Sequence, residues 1–155
     1  EPPTALQGVT NELLKLIPMF RERPGRLLIV ATNFIRALDD AFLRHGRFDY
    51  VIPIGLPDAQ ARESIWRRYI PAHALESVDV PELVARTDGF SPADIEFAAR
   101  KASQRALEAA VYSANTDTQG PTTEDYLVSI GDTRMTVSSE MVGQFFEDIE
   151  ALARL

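Results

Sequence analysis

Apolar and polar positions change their pattern three times between Leu27 and Asp58, a stretch reading LLIVATNFIRALDDAFLRHGRFDYVIPIGLPD. Leu27 to Ala31 is an unbroken apolar run rich in branched residues, which predicts a strand buried on both faces. It ends on Thr32 and Asn33, placing Asn33 at the carboxyl edge of a parallel sheet, where ligands of open α/β sheets bind. A short helix is expected over roughly Ala37 to Arg44, delivering Arg44 and Arg47 on either side of Gly46. A second strand, Tyr50 to Ile54, stops at Gly55 and Pro57.

Elsewhere the period is helical. Val9, Leu13, Leu14, Leu16, Ile17 and Phe20 mark an amphipathic helix after a Pro-rich start, Glu1 to Leu6, that is expected to fray. Asp58 caps a helix to Tyr69 with Ala61, Ile65, Trp66 and Tyr69 on one side. Asp79 precedes a short helix over Val80 to Ala85, with Pro81 in its first turn and Gly89 closing it. Ser91 and Asp94 form a capping box with Pro92 at the first position of the longest helix, reaching about Ser113. Its alanines, Ala98, Ala99, Ala102, Ala106, Ala109 and Ala110, keep it thin enough for close neighbours. After a polar loop over Asn115 to Gly120, Pro121 and Thr122 start a helix through Ile130 that Gly131 breaks. Ser138 caps a last helix whose Val142, Phe145, Ile149 and Leu152 stripe is expected in the core of this helical half. The layout is two strands with two helices, then four or five bundled helices: an α/β fragment followed by an all-α bundle, mainly α.

Composition narrows the chemistry. Cysteine is absent, which removes disulfides and thiolate metal sites and fits a reducing, cytoplasmic setting. With only His45 and His73, far apart in sequence, no histidine metal site is expected. No apolar run approaches the roughly 20 residues of a membrane span, and no signal peptide is visible. The net charge is −7 and unevenly spread. Residues 1–58 hold seven acidic and seven basic side chains, so the excess of acid lies in 59–155. That acidity speaks against a nucleic-acid partner and otherwise reads as a solvated surface.

The same stretch resembles the second region of homology of the AAA branch of the AAA+ ATPases, in which ATN is followed by LDxALLRxGRFD, a strand and PD. The matching residues are Ala31-Thr32-Asn33, Leu38-Asp39, Ala41-Phe42-Leu43-Arg44, Gly46-Arg47-Phe48-Asp49 and Pro57-Asp58. A second block, Thr87-Asp88-Gly89-Phe90-Ser91-Pro92-Ala93-Asp94-Ile95, is similar to the family's TxGFSGADL at the start of a lid helix. Two long motifs in the right order carry far more than a lone ATN would. The resemblance implies the end of a P-loop NTPase parallel sheet over residues 1–57 and a small helical lid over 58–155.

It also implies roles. Asn33 takes the sensor-1 position, where a neutral amide can meet a γ-phosphate or hold the attacking water. Arg44 and Arg47 match the arginine-finger pair, with Arg44 the primary finger and Arg47 an alternative tie to a neighbouring subunit. Without the family, the same residues read as a turn-capping Asn and surface arginines paired with Asp39, Asp40 or Asp49. Gly89, Pro92 and Ala93 fall where the lid touches adenine and ribose, and Tyr69 where many members carry a ribose-contacting His. Pro92 replaces a family Gly and cannot donate a hydrogen bond, so that contact departs from the pattern.

No G-x-x-x-x-G-K-[ST] occurs, and no apolar strand ends in Asp-Glu. Walker A, Walker B and the first pore loop are therefore expected upstream of Glu1, with ATP and Mg²⁺ bound by the intact parent, a ring oligomer and most simply a hexamer. This chain alone is expected to be inactive. Two rival readings stay open: a non-catalytic helical interaction module derived from an AAA lid, and a helical nucleic-acid-binding domain, which the acidic second half disfavours.

Overall fold

The computed structural model describes residues 5–38, 40–44, 46–112 and 120–153, with side chains from residue 8 onward. The chain divides into two compact units, Ile54–Gly143 and a second that joins Glu1–Pro53 to Gln144–Leu155. Six α-helices are seen among the described residues: α1 (Ala5–Arg21), α2 (Ala59–Tyr69), α3 (Val80–Arg86), α4 (Pro92–Tyr112), α5 (Thr123–Gly131) and α6 (Ser139–Leu152). The mainly helical expectation holds.

Helix boundaries in the unit Ile54–Gly143 follow from short polar side chains that satisfy first-turn amides. Asp58 Oδ1 accepts from Ala61 N at 2.8 Å, and Asp79 Oδ1 accepts from Glu82 N at 3.1 Å. Ser91 Oγ accepts from Asp94 N at 3.2 Å while Asp94 Oδ2 accepts from Ser91 N at 2.9 Å, which closes the anticipated capping box. Thr122 and Asp125 form a second reciprocal box on α5.

The core of this unit is built on Trp66, Leu83, Ile95, Ala98, Ala102 and Tyr126, all without measurable exposure. Ala98, Ala99 and Ala102 let α2 and α5 approach α4, as the thin-helix pattern anticipates. Trp66 meets Tyr126 edge-on, with ring centroids 5.6 Å apart at 79°. Its indole N–H donates to Thr87 Oγ1 at 3.2 Å, and Thr87 Oγ1 donates onward to Leu83 O at 2.8 Å. One polar chain thereby links α2 to the end of α3 inside an apolar core.

The Tyr126 hydroxyl is buried without a hydrogen-bond partner. Burial pushes its pKa up to about 12, and the charge of Asp125 acts in the same direction. Because a buried unpaired hydroxyl costs about 1–3 kcal/mol, Tyr126→Phe is expected to leave the unit as stable as the parent or up to about 1 kcal/mol more stable. Urea unfolding followed by circular dichroism checks this; a loss of more than about 1 kcal/mol would show that the hydroxyl is satisfied.

In the other unit, Ile17 of α1 and Phe42 are the buried hydrophobic residues, and the Phe42 and Phe48 rings lie 6.5 Å apart. Three expectations are corrected here. The helix over Ala37 to Arg44 is instead two 3₁₀ turns, Ile35–Ala37 and Asp40–Leu43. Leu38 is extended between them (φ −73°, ψ 139°), so hydrogen bonds do not pass from one turn to the next. Leu27–Ala31 and Tyr50–Ile54 run without a ladder, Val51 making an isolated bridge. Strands need partners on both edges, and the described residues supply none: Leu27, Ile29 and Ile54 are at least 80% exposed. Finally, the α6 stripe is absent from the helical core, and Phe145, Ile149 and Leu152 belong to the unit that contains α1. Ala5 and Leu6 are helical, whereas Glu1–Thr4, Ser113 and the loop at 115–119 lie outside the described residues.

Candidate functional site

Asn33, Arg44 and Arg47 all fall in the unit containing α1, within one irregular segment. Asn33 sits in an exposed bend. The turn after it is fixed by Thr32, whose Oγ1 accepts from Phe34 N at 3.1 Å. Thr32 therefore does the capping that Asn33 was an alternative candidate for, and the Asn33 amide is left facing solvent.

The two arginines differ. Arg44 is exposed, and its guanidinium makes no hydrogen bond or ion pair to another described residue. Arg47 is half-buried and donates from Nη1 to the carbonyl of Ala41, closing the turn around Gly46. Gly46 has φ 91°, a left-handed conformation suited to glycine. Asp49 accepts from Gly46 N at 3.4 Å and pairs with Arg21 of α1, so it is not the partner of Arg44 or Arg47. Asp39 lies outside the described residues.

Tyr69, Gly89, Pro92 and Ala93 fall in the other unit. Gly89, Pro92 and Ala93 share the turn from α3 to α4. Gly89 has φ 77°, and a Cβ there would lie 3.2 Å from Met135 Sδ, so this turn is closed to larger residues. Pro92 and Ala93 are exposed at the first turn of α4. Pro92 has no N–H and Asp94 N–H is taken by Ser91, which leaves Ala93 N–H as the first-turn donor able to point outward. Tyr69 is half-buried, its hydroxyl donating to Glu96 Oε2 of α4 at 3.1 Å, and that bond holds its pKa above the ordinary phenol range.

Asp94 is 2% exposed. Burial pushes its pKa up, but hydrogen bonds from Ser91 and Thr136 outweigh that and hold it below the ordinary carboxylate value. The lid turn is thus pinned from both sides by an ionised carboxylate.

Sequence reasoning missed two basic side chains. Arg62, 7% exposed, donates to Pro57 O at 3.0 Å and Val84 O at 3.5 Å and pairs with Asp88 at 3.3 Å, tying the start of α2 to the end of α3. Its position one turn into an amphipathic helix was the available signal. Arg36 reaches α6 across more than a hundred residues, which no local pattern shows. Among the described residues there is no group of three His, Asp or Glu able to hold a metal ion, so the residues present do not fit a magnesium site. No described helix is long and apolar enough to cross a membrane.

Comparison with known proteins agrees with this geometry. Residues 77–118 match the family model of the AAA+ lid domain. The chain carries the carboxyl-terminal part of an AAA+ ATPase module of the AAA branch. It is 42% identical over 87 residues to the ATP-dependent zinc metalloprotease FtsH of Mycoplasmopsis synoviae, a match covering 56% of this chain and 13% of that protein. It is 39% identical over 102 residues to the ATP-dependent zinc metalloprotease YME1L1 of Homo sapiens, covering 65% of this chain and 13% of that protein. The crystal structure of the FIGL-1 AAA domain superposes on 94% of this chain and 51% of its own with a TM-score of 0.75 at 23% identity, which shows a shared fold.

Proposed function

We propose that this chain is the nucleotide-sensing and lid portion of an ATPase that couples ATP hydrolysis to remodelling or unfolding of a macromolecular substrate within a ring oligomer, a hexamer. The observation that carries the reading is the ordered pair of blocks, Ala31 to Asp58 and Thr87 to Ile95, with the second lying inside the segment matched to the AAA+ lid. ATP dependence in the names of the FtsH and YME1L1 relatives supports it.

In this reading Asn33 orients the attacking water or meets the γ-phosphate. Arg44, free of partners among the described residues, reaches charge that develops on a phosphoryl group bound by a neighbouring subunit. Arg47 is committed to its own turn and holds Arg44 in place. Ala93 N–H and the Gly89 turn face the base and ribose, with Tyr69 held back by Glu96. Phosphate binding and Mg²⁺ belong to parts of the parent that these residues do not supply, and the setting is cytoplasmic.

Calorimetry tests the division of labour. The isolated chain is expected to show no micromolar Mg-ATP binding and no hydrolysis, whereas the parent ring hydrolyses ATP. Micromolar binding by the chain alone would overturn the proposal that the phosphate cradle lies elsewhere.

A further inference from the structure

Arg36 stands three residues after Asn33, on the first 3₁₀ turn, and its guanidinium grips α6 at three atoms. Nε donates to Asp148 Oδ1 at 2.6 Å, and Nη2 donates to Glu147 Oε2 at 2.9 Å and to the carbonyl of Gln144 at 3.3 Å. A planar fork shared among two carboxylates and a backbone carbonyl fixes direction as well as distance, which a single ammonium could not do. The turn that Arg36 stands on is otherwise thinly held. Its own bonds are Ala37 N to Phe34 O at 3.2 Å and Leu38 N to Ile35 O at 3.0 Å, and it buries no residue. The segment before it, Leu27 to Phe34, is exposed and lacks a ladder.

We propose that Arg36 is a positioning residue: by clasping Asp148, Glu147 and the Gln144 carbonyl it holds the turn that presents Asn33, so that the place of Asn33 depends on the docking of α6. The chemical consequence, that α6 sets the sensor residue, rests on the reading of Asn33 given above. The clasp itself rests only on these contacts. A helix at the end of the chain thereby acquires influence over a residue more than a hundred positions earlier, through one side chain.

The test uses the full chain and needs no nucleotide, so failure of the clasp and failure of the ATPase reading are separable. Backbone amide exchange and the Asn33 side-chain amide resonances are followed by NMR in Arg36→Glu, in Asp148→Arg and in the double exchange. Each single variant is expected to speed exchange at Phe34, Ala37 and Leu38 by roughly two- to five-fold, the scale of a surface ion pair, and to shift the Asn33 resonances. Glu147→Gln with Asp148→Asn removes the clasp from the α6 side without reversing charge, and the same turn amides are expected to respond. The double exchange of Arg36 and Asp148 restores the opposite-charge pair and is expected to return the Asn33 signal toward its original position. High salt should mimic the single variants. The proposal is overturned if neutralising Glu147 and Asp148 leaves Phe34 to Leu38 unchanged, or if the Asn33 resonances stay fixed while α6 loosens. Failure of the double exchange to recover would overturn it too.

Discussion

Trp66→Ala is expected to unfold the helical unit Ile54–Gly143 at ambient temperature or leave it barely stable. The indole is fully buried, packs edge-on against Tyr126 and anchors the hydrogen-bond chain through Thr87 to Leu83. Truncation removes a large aromatic surface and leaves a cavity among α2, α4 and α5, which costs about 3–5 kcal/mol in comparable cores. A domain of this size holds only about 5–15 kcal/mol in total. Phe97→Ala is the control: Phe97 is on α4 but 57% exposed, and a surface change of that kind stays within about 0.5 kcal/mol. Trp66 is the sole tryptophan, so unfolding is followed by circular dichroism rather than fluorescence. A loss below about 1.5 kcal/mol for Trp66→Ala would mean that the core closes over the gap.

Arg44→Ala, in the parent ring, is expected to lower kcat by about 10³-fold or more while nucleotide affinity stays near its original value. Two physical reasons combine. Arg44 has no partner among the described residues, so its removal should cost this fold little. A finger also acts on charge present mainly in the transition state, so its loss appears in kcat rather than in ground-state binding. Arg44→Lys keeps the charge but loses the planar fork and is expected to stay well below full activity. Mixing Arg44→Ala subunits with subunits disabled in Walker B should recover activity above either alone, because some interfaces then pair an intact finger with an intact phosphate site. If both variants assemble and exchange freely yet the mixture stays inactive, Arg44 acts within its own subunit. Arg47→Ala gives the contrast, since its bond to the Ala41 carbonyl makes it a fold residue first.

What was legible in the sequence divides by range. Capping residues such as Asp58, Asp79, Ser91 with Asp94, and Thr122 with Asp125 act on amides three residues away, so helix starts could be placed from the sequence alone. Trp66 could be assigned to an inward face from its spacing, but not to its partner Thr87, because the bond depends on how α3 returns against α2. The stretch around Asn33 shows the opposite limit. Its strand pattern is unmistakable in composition, but a strand is a relation between segments, and the segments that would flank it are not among the described residues. The single helix expected before Arg44 failed for a different reason: Leu38 leaves helical geometry, a backbone choice that side-chain spacing does not register. Arg36 and Arg62 were invisible as connectors because a guanidinium reaches whatever the fold brings near, and its partners carry no mark in the sequence.

The bare apolar runs carry a consequence for the chain's life before assembly. Leu27 to Val30 and the alternate positions Tyr50, Ile52 and Ile54 present branched and aromatic side chains to water beside backbone that no ladder occupies. Such segments are templates for intermolecular cross-β pairing, and their only local gatekeepers are charged neighbours, Arg26 before the first and Asp49 before the second. A free copy of this chain is therefore a natural client for holding chaperones and proteases. The rate at which its sheet is completed decides how much survives, so the abundance of the working machine is set partly by a race between burial and aggregation that the helical half never has to run.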